Sequence, residues 1–337
     1  MSKILAIESS CDETAASVIC DGRLLSNIVS TQIEVHRKYG GVMPEIASRL
    51  HAENISIVIK EAMEKANLQF EDLDAVAVTR GPGLIGALHV GLQAAKTISM
   101  LYKIPLIPVH HLAGHIYANE YVSEFKFPML AVVVSGGNTE LVLMKGHMNF
   151  EIIAETRDDA VGECYDKVAR VLGLPYPGGI PIDRLAKEGK HSYDLPTPLK
   201  GEKTLDLSYS GLKTNVINLV HNLEQKGEQV NVADMCKSFQ DVAIGLVIDR
   251  TIKAVKQYKV NQVILAGGVS ANSYLREQMT LEMNKLGVEI NIPPMWCCTD
   301  NAAMIAKVAE RLYDLKVFAP LDLGVDPNWK IDEWNKF

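Results

Sequence analysis

Two histidines in the first half of the chain, His111 and His115, stand four residues apart. On a helix, residues i and i+4 lie on one face, so the two imidazoles could hold one metal ion. A zinc protease would carry Glu directly after the first histidine as its general base, and Leu112 stands there instead. Nine histidines in 337 residues give roughly 0.24 such pairs by chance. The spacing alone therefore leaves both a metal site and a coincidence open.

An oxygen ligand for such a metal would come from another part of the chain, and Asp300 is a candidate. This residue precedes a helical pattern, where Asp is also a common N-cap. The sequence does not separate the two roles. Cys297 and Cys298 stand close by and could be soft ligands or simply buried thiols.

Acidic residues and glycine pairs mark several predicted turns. Asp12 and Glu13 follow the first apolar run, where two acids could hold a cation or accept a proton, although a solvated turn has the same composition. Three glycine pairs would each let the backbone approach a ligand closely, namely Gly136-Gly137, Gly178-Gly179 and Gly267-Gly268. Asp166 and Asp183 lie on helical stretches near these turns, and the pattern alone would place them at the surface.

The segments that would position these residues occur twice along the chain. Residues 5–14 align with residues 130–139, and each copy is a strand and a tight turn that lead into a second strand, at 15–19 and 140–144. Residues 74–79 and 261–266 are strands that each run into a glycine-rich turn and a helical stretch. Both kinds of unit suit a phosphate, through backbone N–H groups or a helix N-terminus. The order favours a duplicated α/β fold, and two unrelated strand–helix segments are the alternative.

The hydrophobic pattern predicts strands and helices in alternating groups, typical of α/β sheets with an antiparallel part. The predicted strands are 3–9, 15–20, 24–31, 74–79, 106–109, 129–135, 140–145, 150–155 and 262–266. The predicted helices are 45–66, 84–101, 111–122, 161–172, 209–224, 231–257, 271–286 and 300–314. Residues 188–207 carry no clear period and are predicted to form a loop or small insertion.

The amino-acid composition excludes several classes of protein. Apolar residues make up 47%, which excludes disorder, collagen and a coiled coil. The net charge of −7 argues against nonspecific nucleic-acid binding over the whole surface but permits a local basic groove. No apolar run approaches the ~18–20 residues that cross a bilayer. Six cysteines without a CxxC pair indicate reduced thiols and a cytoplasmic protein.

Eight ordered motifs resemble those of the bacterial tRNA N6-adenosine threonylcarbamoyltransferase family, formerly described as O-sialoglycoprotein endopeptidases. They span nearly the whole chain, at 7–14, 81–84, 110–115, 135–139, 176–179, 209–214, 267–272 and 299–303. The resemblance implies a duplicated actin-like, Hsp70-like ATPase (ribonuclease H-like) fold with two lobes around a nucleotide cleft. The first lobe would be 1–127, completed by a C-terminal helix near 300–325. The second would be 128–299, with an insertion near 188–235.

The same resemblance implies site residues. His111, His115 and Asp300 would bind one metal ion per subunit, Fe2+ or alternatively Zn2+, and Asp12 and Glu13 would be the catalytic acidic pair. Nine positions would bind substrate: Val133, Val134, Ser135, Gly136, Gly137, Asp166, Gly179, Asp183 and Asn272. The sequence departs from the family at Ala113, where many members have Glu, and at Asn138, where many have His. Neither residue is an implied ligand.

The implied reaction transfers threonylcarbamoyl from threonylcarbamoyl-AMP to N6 of the adenosine 3′ to the anticodon, in tRNAs that read ANN codons. The implied partners are tRNA, an inactive paralogue of the same fold and a P-loop ATPase, with no membrane. Three other functions stay open. A metallopeptidase lacks its Glu at position 112, a small-molecule kinase of the same fold would not need the histidine pair, and a non-catalytic binding module would be expected to lack the ligand set.

Overall fold

Two five-stranded sheets form the framework of the computed structural model, which describes residues 2–336. The first sheet contains β1 (Lys3–Glu8), β2 (Glu13–Cys20), β3 (Arg23–Thr31), β4 (Ala75–Gly81) and β5 (Leu106–His110). Its strands lie in the order β3-β2-β1-β4-β5, with β1 antiparallel to β2 and parallel to β4.

The second sheet repeats this arrangement. It contains β6 (Met129–Val134), β7 (Thr139–Gly146), β8 (Asn149–Glu155), β9 (Gln262–Ala266) and β10 (Glu289–Asn291). From one edge the order is β8-β7-β6-β9-β10, with β6 antiparallel to β7 and parallel to β9. Both sequence repeats therefore lie on equivalent strands, since β6 takes the place of β1 and β9 that of β4. The predicted duplicated α/β architecture is confirmed.

Eleven helices connect the strands within the described residues. In chain order they are α1 (Ile33–Arg37), α2 (Pro44–Ala66), α3 (Ile85–Tyr102), α4 (His111–Tyr117), α5 (Val161–Val171), α6 (Gly179–Ala186), α7 (Ser210–Gln225), α8 (Val232–Tyr258), α9 (Ser273–Leu286), α10 (Met295–Cys298) and α11 (Ala302–Asp314). None of the helices between residues 2 and 336 is both long and apolar enough to cross a bilayer.

The chain divides into two compact units. Unit 1 is Met1–Ser123 with Thr299–Phe337, and unit 2 is Glu124–Cys298. In unit 1, apolar residues of β1 and β4 pack with those of α2 and α3, and α11 returns to pack against β1 and β2. In unit 2, the core joins β6 and β7 to α5 and α8. The central strands β1 and β6 are buried on both faces, which explains their almost continuous apolar sequences.

The prediction was wrong for several short elements. The single helix over 111–122 ends at Tyr117 and continues as a 3-10 turn, Ala118–Tyr121. α1, α10 and β10 were not predicted, because three to five residues are too few to display a hydrophobic period, whereas α6 covers the helical stretch expected around Asp183. Residues 188–207 contain no helix or strand among the described residues and make one isolated bridge, between Thr156 and Leu207.

Candidate active site

The histidine pair lies where β5 passes into α4. His110 ends the strand and caps the helix, because its Nδ1 accepts a hydrogen bond from the Leu112 N–H at 3.2 Å. Its Nε2–H donates to the Trp329 carbonyl at 2.8 Å, and burial lowers the pKa of His110 to about 3, so the ring is neutral. The cap starts the helix at His111 and places His115 one turn later on the same face.

Gly114 explains how the helix comes close to its neighbour. A Cβ at this position would lie 2.9 Å from Ile305 Cδ1 on α11. α4 and α11 therefore pack more closely than a larger residue at 114 would allow. This close packing brings the residues just before α11 next to the histidine pair.

Asp300 lies among the histidine nitrogens. Its Oδ1 is 3.1 Å from His115 Nε2 and 3.5 Å from His111 Nε2. The N-cap of α11 is the next residue, Asn301, whose Oδ1 accepts from the Met304 N–H at 3.1 Å. The capping role left open by the sequence thus belongs to Asn301, and the Asp300 carboxylate points to the histidines. Neither Cys297 nor Cys298 belongs to this cluster.

The three side chains fit a divalent metal ion. One ligand atom from each lies within 4.8 Å of the others, and they form the only such group of three found among residues 2–336. Both ring nitrogens of His115 are buried and make no hydrogen bond within the described structure. A buried unpaired nitrogen is costly unless another partner takes its lone pair. Two imidazoles and one carboxylate are donors that Fe2+ and Zn2+ both accept.

The charged groups of the cluster act strongly on one another. Burial acts to lower the pKa of His111, but the carboxylates of Asp300 and Glu8 outweigh it and raise that pKa to about 9. Burial acts to raise the pKa of Asp300, but His111 and His115 lower it to about 2. Without a metal, the ring of His111 is therefore a protonated imidazolium that lies beside the carboxylates of Asp300 and Glu8. A bound cation would replace that proton charge.

Glu8 is a functional candidate that the sequence analysis missed. It is fully buried at the end of β1, and its Oε2 lies 3.0 Å from His111 Nδ1. Burial acts to raise its pKa, but His111 and Thr79 lower it below the usual range, which keeps the carboxylate ionised. A charged residue that ends an apolar strand was the available signal in the sequence.

The acidic turn joins β1 and β2 in unit 1. Asp12 is 8% exposed and Glu13 is 9% exposed, which rules out the solvated turn. His51 on α2 holds the turn, since its Nε2–H donates to the Cys11 carbonyl at 2.9 Å and its Nδ1 accepts from Thr14 Oγ1 at 2.8 Å. The Gln32 N–H donates to the Asp12 carbonyl at 3.0 Å. The turn is therefore held in one conformation.

Glu13 is the more perturbed of the two acids. Burial raises its pKa well above the usual range, and the charges of Asp12 and Asp300 raise it further. The influence of Asp300 shows that the acidic pair and the histidine cluster share one electrostatic environment in unit 1. A raised pKa makes a carboxylate a stronger proton acceptor, so Glu13 is a candidate for proton transfer.

The implied substrate residues of unit 2 include the turn between β6 and β7. Val133 and Val134 are buried in β6, so only their backbone can meet a ligand. The Ser135 N–H donates to the Asn138 carbonyl at 2.8 Å, and this bond closes the turn. Gly136 and Gly137 are exposed, and a Cβ on either would meet nothing within 4 Å. Packing does not demand glycine there, and the space over the backbone is open to a ligand.

The remaining implied residues lie in polar networks of unit 2. Asp183 accepts from the Ser273 hydroxyl at 2.9 Å and from Gln240 Nε2 at 3.3 Å. Asn272 joins the same network, because its Nδ2 donates to Gln240 Oε1 at 2.8 Å. The prediction had not included Gln240 or Ser273, whose roles arise from contacts distant in sequence.

Asp166 lies by the other glycine pair. Its Oδ1 accepts from the Gly178 N–H at 2.7 Å, at the start of the helix that begins with Gly179. A Cβ on Gly178 would lie 2.4 Å from the Ala169 Cβ, so this glycine is required for close packing of α5 and α6. Gly179 has open space where its Cβ would be. The structure thus places Asp166 and Gly179 together.

Solved structures with similar architecture are distant in sequence. Full-length HypF, in its phosphate- and nucleotide-bound form, matches with a TM-score of 0.62 at 15% identity, covering 92% of this chain and 46% of that one. Component A of (R)-2-hydroxyglutaryl-CoA dehydratase from Acidaminococcus fermentans matches with a TM-score of 0.53 at 16% identity, covering 91% and 97%. At this identity the likeness shows the fold alone, the duplicated actin-like ATPase fold.

Proteins found by sequence comparison are much more similar to this chain than those solved structures are. The family model described as tRNA N6-adenosine threonylcarbamoyltransferase matches residues 23–307. The protein of that name from Listeria monocytogenes serovar 1/2a is 57% identical over 334 residues, 98% of this chain and 97% of that protein. The one from Geobacillus kaustophilus is 56% identical over 327 residues, 96% of each chain. This chain therefore belongs to the tRNA N6-adenosine threonylcarbamoyltransferase family.

Proposed function

We propose that this enzyme takes its threonylcarbamoyl group from threonylcarbamoyl-AMP and delivers it to the adenosine 3′ to the anticodon of tRNAs that read ANN codons. The family to which the chain belongs supports tRNA adenosine N6 as the acceptor and threonylcarbamoyl as the group transferred. The bond that forms joins N6 to the carbamoyl carbon, and the bond that breaks joins that carbon to the phosphate oxygen. AMP leaves, and N6 loses one proton.

The His111, His115 and Asp300 cluster is the observation that carries the proposal. Both His115 ring nitrogens are buried without a hydrogen bond in the described structure, beside a carboxylate at 3.1 Å. We assign to these residues one divalent ion, Fe2+ or alternatively Zn2+. When bound, such an ion supplies Lewis-acid charge to substrate oxygens. Three protein ligands leave positions open for those oxygens.

Asp12 and Glu13 are proposed to handle the proton that N6 loses. Their turn is buried and fixed by His51, so the carboxyl groups keep their positions. Burial raises the pKa of Glu13 well above its usual range, which makes this carboxylate a stronger proton acceptor than an exposed one. A buried fixed acid also avoids reorganisation of solvent during the reaction.

The open glycine turn and the carboxylates of unit 2 are proposed to bind the adenylate. The backbone at Ser135, Gly136 and Gly137 would offer N–H groups to its phosphate. Asp166, Asp183 and Asn272 carry groups that hydrogen-bond to the hydroxyl groups and edges of a nucleoside. These residues would orient the donor and leave its carbamoyl carbon exposed to attack.

Partners are proposed to assist tRNA binding. The chain has a net charge of −7, which disfavours binding of a polyanion over the surface as a whole. An inactive paralogue of the same fold and a P-loop ATPase would complete the active assembly. The target base lies in a single-stranded loop, from which it can be turned out at modest cost. For a reaction on tRNA we propose a cytoplasmic location.

The test supplies threonylcarbamoyl-AMP and an unmodified tRNA transcript, with the partner proteins present. Nucleosides are then analysed by mass spectrometry. Wild type and His111→Ala are compared, with His221→Ala as the control for loss of an exposed histidine. We expect product from wild type and His221→Ala only. Product from all three would remove the metal cluster from the mechanism, and product from none, with competent partners, would favour a kinase or a binding module.

A further inference from the structure

Glu8 makes a buried hydrogen-bond network that the proposed mechanism does not use. Its side chain is fully buried, and it receives three hydrogen bonds. The Ser10 N–H donates to Oε1 at 2.5 Å, and the Thr79 hydroxyl donates to Oε2 at 2.6 Å. The third group is His111 Nδ1, 3.0 Å from Oε2. An ionised carboxylate without solvent needs such partners to persist.

The chemistry of a carboxylate fixes which nitrogen of His111 carries the proton. An ionised carboxylate only accepts hydrogen bonds, so the nitrogen that faces it has to be N–H. A neutral imidazole protonated at Nδ1 carries its lone pair on Nε2. In this structure Nε2 is the atom that faces Asp300 Oδ1, at 3.5 Å. The ring of His111 therefore contacts Glu8 through Nδ1 and faces Asp300 through Nε2.

We propose that Glu8 is a positioning residue that holds His111 in its Nδ1–H tautomer, with the Nε2 lone pair aimed at the metal. This inference rests on the proposed metal cluster. Metal-bound histidines commonly donate their second N–H to a carboxylate, which fixes the ring and raises its basicity. His115 shows the contrast, because its Nδ1 has no hydrogen-bond partner in the described part of the chain. Only one of the two imidazoles is oriented in this way.

Glu8 also connects three parts of unit 1, so its replacement could destabilise the fold. A test must therefore separate the orientation of His111 from the stability of the protein. It lies on β1, Thr79 lies on β4 and His111 begins α4. Glu8→Gln is nearly isosteric. Its NH2 group cannot face the Ser10 N–H without placing two donors together, so it takes the Oε2 position and faces His111 Nδ1. Facing this NH2 group and the Ser10 hydroxyl, whose Oγ lies 3.1 Å away and can donate, Nδ1 becomes an acceptor. The neutral ring then carries its proton on Nε2, from which the metal has to displace it, so binding is weakened.

Thr79→Val is the matched control. It removes a hydrogen bond from the same carboxylate oxygen and keeps the shape of the side chain, while the carboxylate still faces His111. Zn2+ affinity is measured by competition with a chelator, and the absorption spectrum of the Co2+ form reports the ligand geometry. Thermal unfolding of the metal-free proteins reports stability. All measurements use the full chain.

We expect Glu8→Gln to weaken Zn2+ binding about 10- to 100-fold and to change the Co2+ spectrum. Thr79→Val should keep the affinity and spectrum of wild type although its stability falls. Wild-type affinity and spectrum in Glu8→Gln would overturn the inference. Equal binding by wild type and His111→Ala would instead overturn the metal cluster itself.

A second measurement needs no variant and so holds even where Glu8→Gln does not fold. In the Zn2+-bound wild type, the 15N chemical shifts of His111 distinguish a ring bound through Nε2 from one bound through Nδ1. We expect binding through Nε2 with a proton on Nδ1. Binding through Nδ1 would refute the role assigned to Glu8.

Discussion

Asp300 and Asn301 are adjacent, and the structure predicts separate consequences of replacing them. Asn301 is 2% exposed and caps α11, while its Nδ2 donates to the Thr299 carbonyl at 2.8 Å. Loss of the cap costs ~1 kcal/mol, and loss of the second hydrogen bond costs ~1 kcal/mol more. Asn301→Ala should therefore lower the melting temperature of unit 1 by ~4–8 °C, since 1 kcal/mol corresponds to ~2–4 °C at this size.

Asp300→Asn keeps the shape of the side chain and removes the charge that faces both histidines. We expect it to weaken Zn2+ binding by more than about 100-fold, beyond the effect of a residue that only orients a ligand. Asn301→Ala should bind Zn2+ close to wild type. Chelator competition gives the affinity, and differential scanning calorimetry of the metal-free proteins gives the melting temperature.

The two variants are informative as a pair. Loss of metal binding in Asn301→Ala, with retention in Asp300→Asn, would refute the assignment of the cap to Asn301 and of the ligand to Asp300. Loss of binding in both variants would show that the start of α11 acts as one unit, and would refute their separate roles.

Three further outcomes follow from the packing and titration of named residues. Burial lowers the pKa of His51, so the folded state resists its protonation. The contribution of neutral His51 to the free energy of unfolding is complete above the ordinary pKa of ~6.5 and is lost as the pH falls below it. The free energy of unfolding, measured by denaturation at pH 5 to 8, should therefore depend less on pH in His51→Gln than in wild type. Gly114→Ala gains ~1 kcal/mol of helix propensity but meets Ile305 Cδ1 at 2.9 Å, costing ~1–3 kcal/mol. Ile305→Val should reduce that cost in a double-mutant cycle. Asp158 accepts hydrogen bonds at the start of α7, and although burial acts to raise its pKa, these bonds lower it. Its contribution is present above the ordinary value of 3.8 and is lost at lower pH, so Asp158→Asn should lower stability at pH 7.

Each outcome has a result that would contradict it. An unchanged pH dependence in His51→Gln would show that other groups set the acid sensitivity. Additive effects of Gly114→Ala and Ile305→Val would show that these two residues do not limit the approach of α4 to α11. Wild-type stability of Asp158→Asn at neutral pH would show that the charge at the start of α7 contributes nothing.

The architecture could be predicted because its repeating unit occurs twice in the sequence. Residues 5–14 and 130–139 each specify a buried strand, a turn and a strand, and local pattern is sufficient for that unit. The short elements could not be predicted, because Glu289–Asn291 and Met295–Cys298 are too short to display a hydrophobic period, and Glu289–Asn291 is a strand only through its pairing with β9.

The site could be predicted only in part, for a physical reason. His111 and His115 are recognisable because helical spacing places them on one face. The choice between ligand and cap at Asp300 depends on backbone geometry, which the structure resolves in favour of Asn301 as the cap. Glu8 escaped notice because its partners Thr79 and His111 are 71 and 103 residues away.

One measurement tests the central claim most directly. Threonylcarbamoyl-AMP labelled in the carbamoyl carbon is mixed with the enzyme, its partners and unmodified tRNA in a single turnover, and both products are counted. The account predicts that label enters one adenosine of each tRNA while an equal amount of AMP appears. AMP released without label in tRNA would make the protein a hydrolase of the adenylate and would contradict the account.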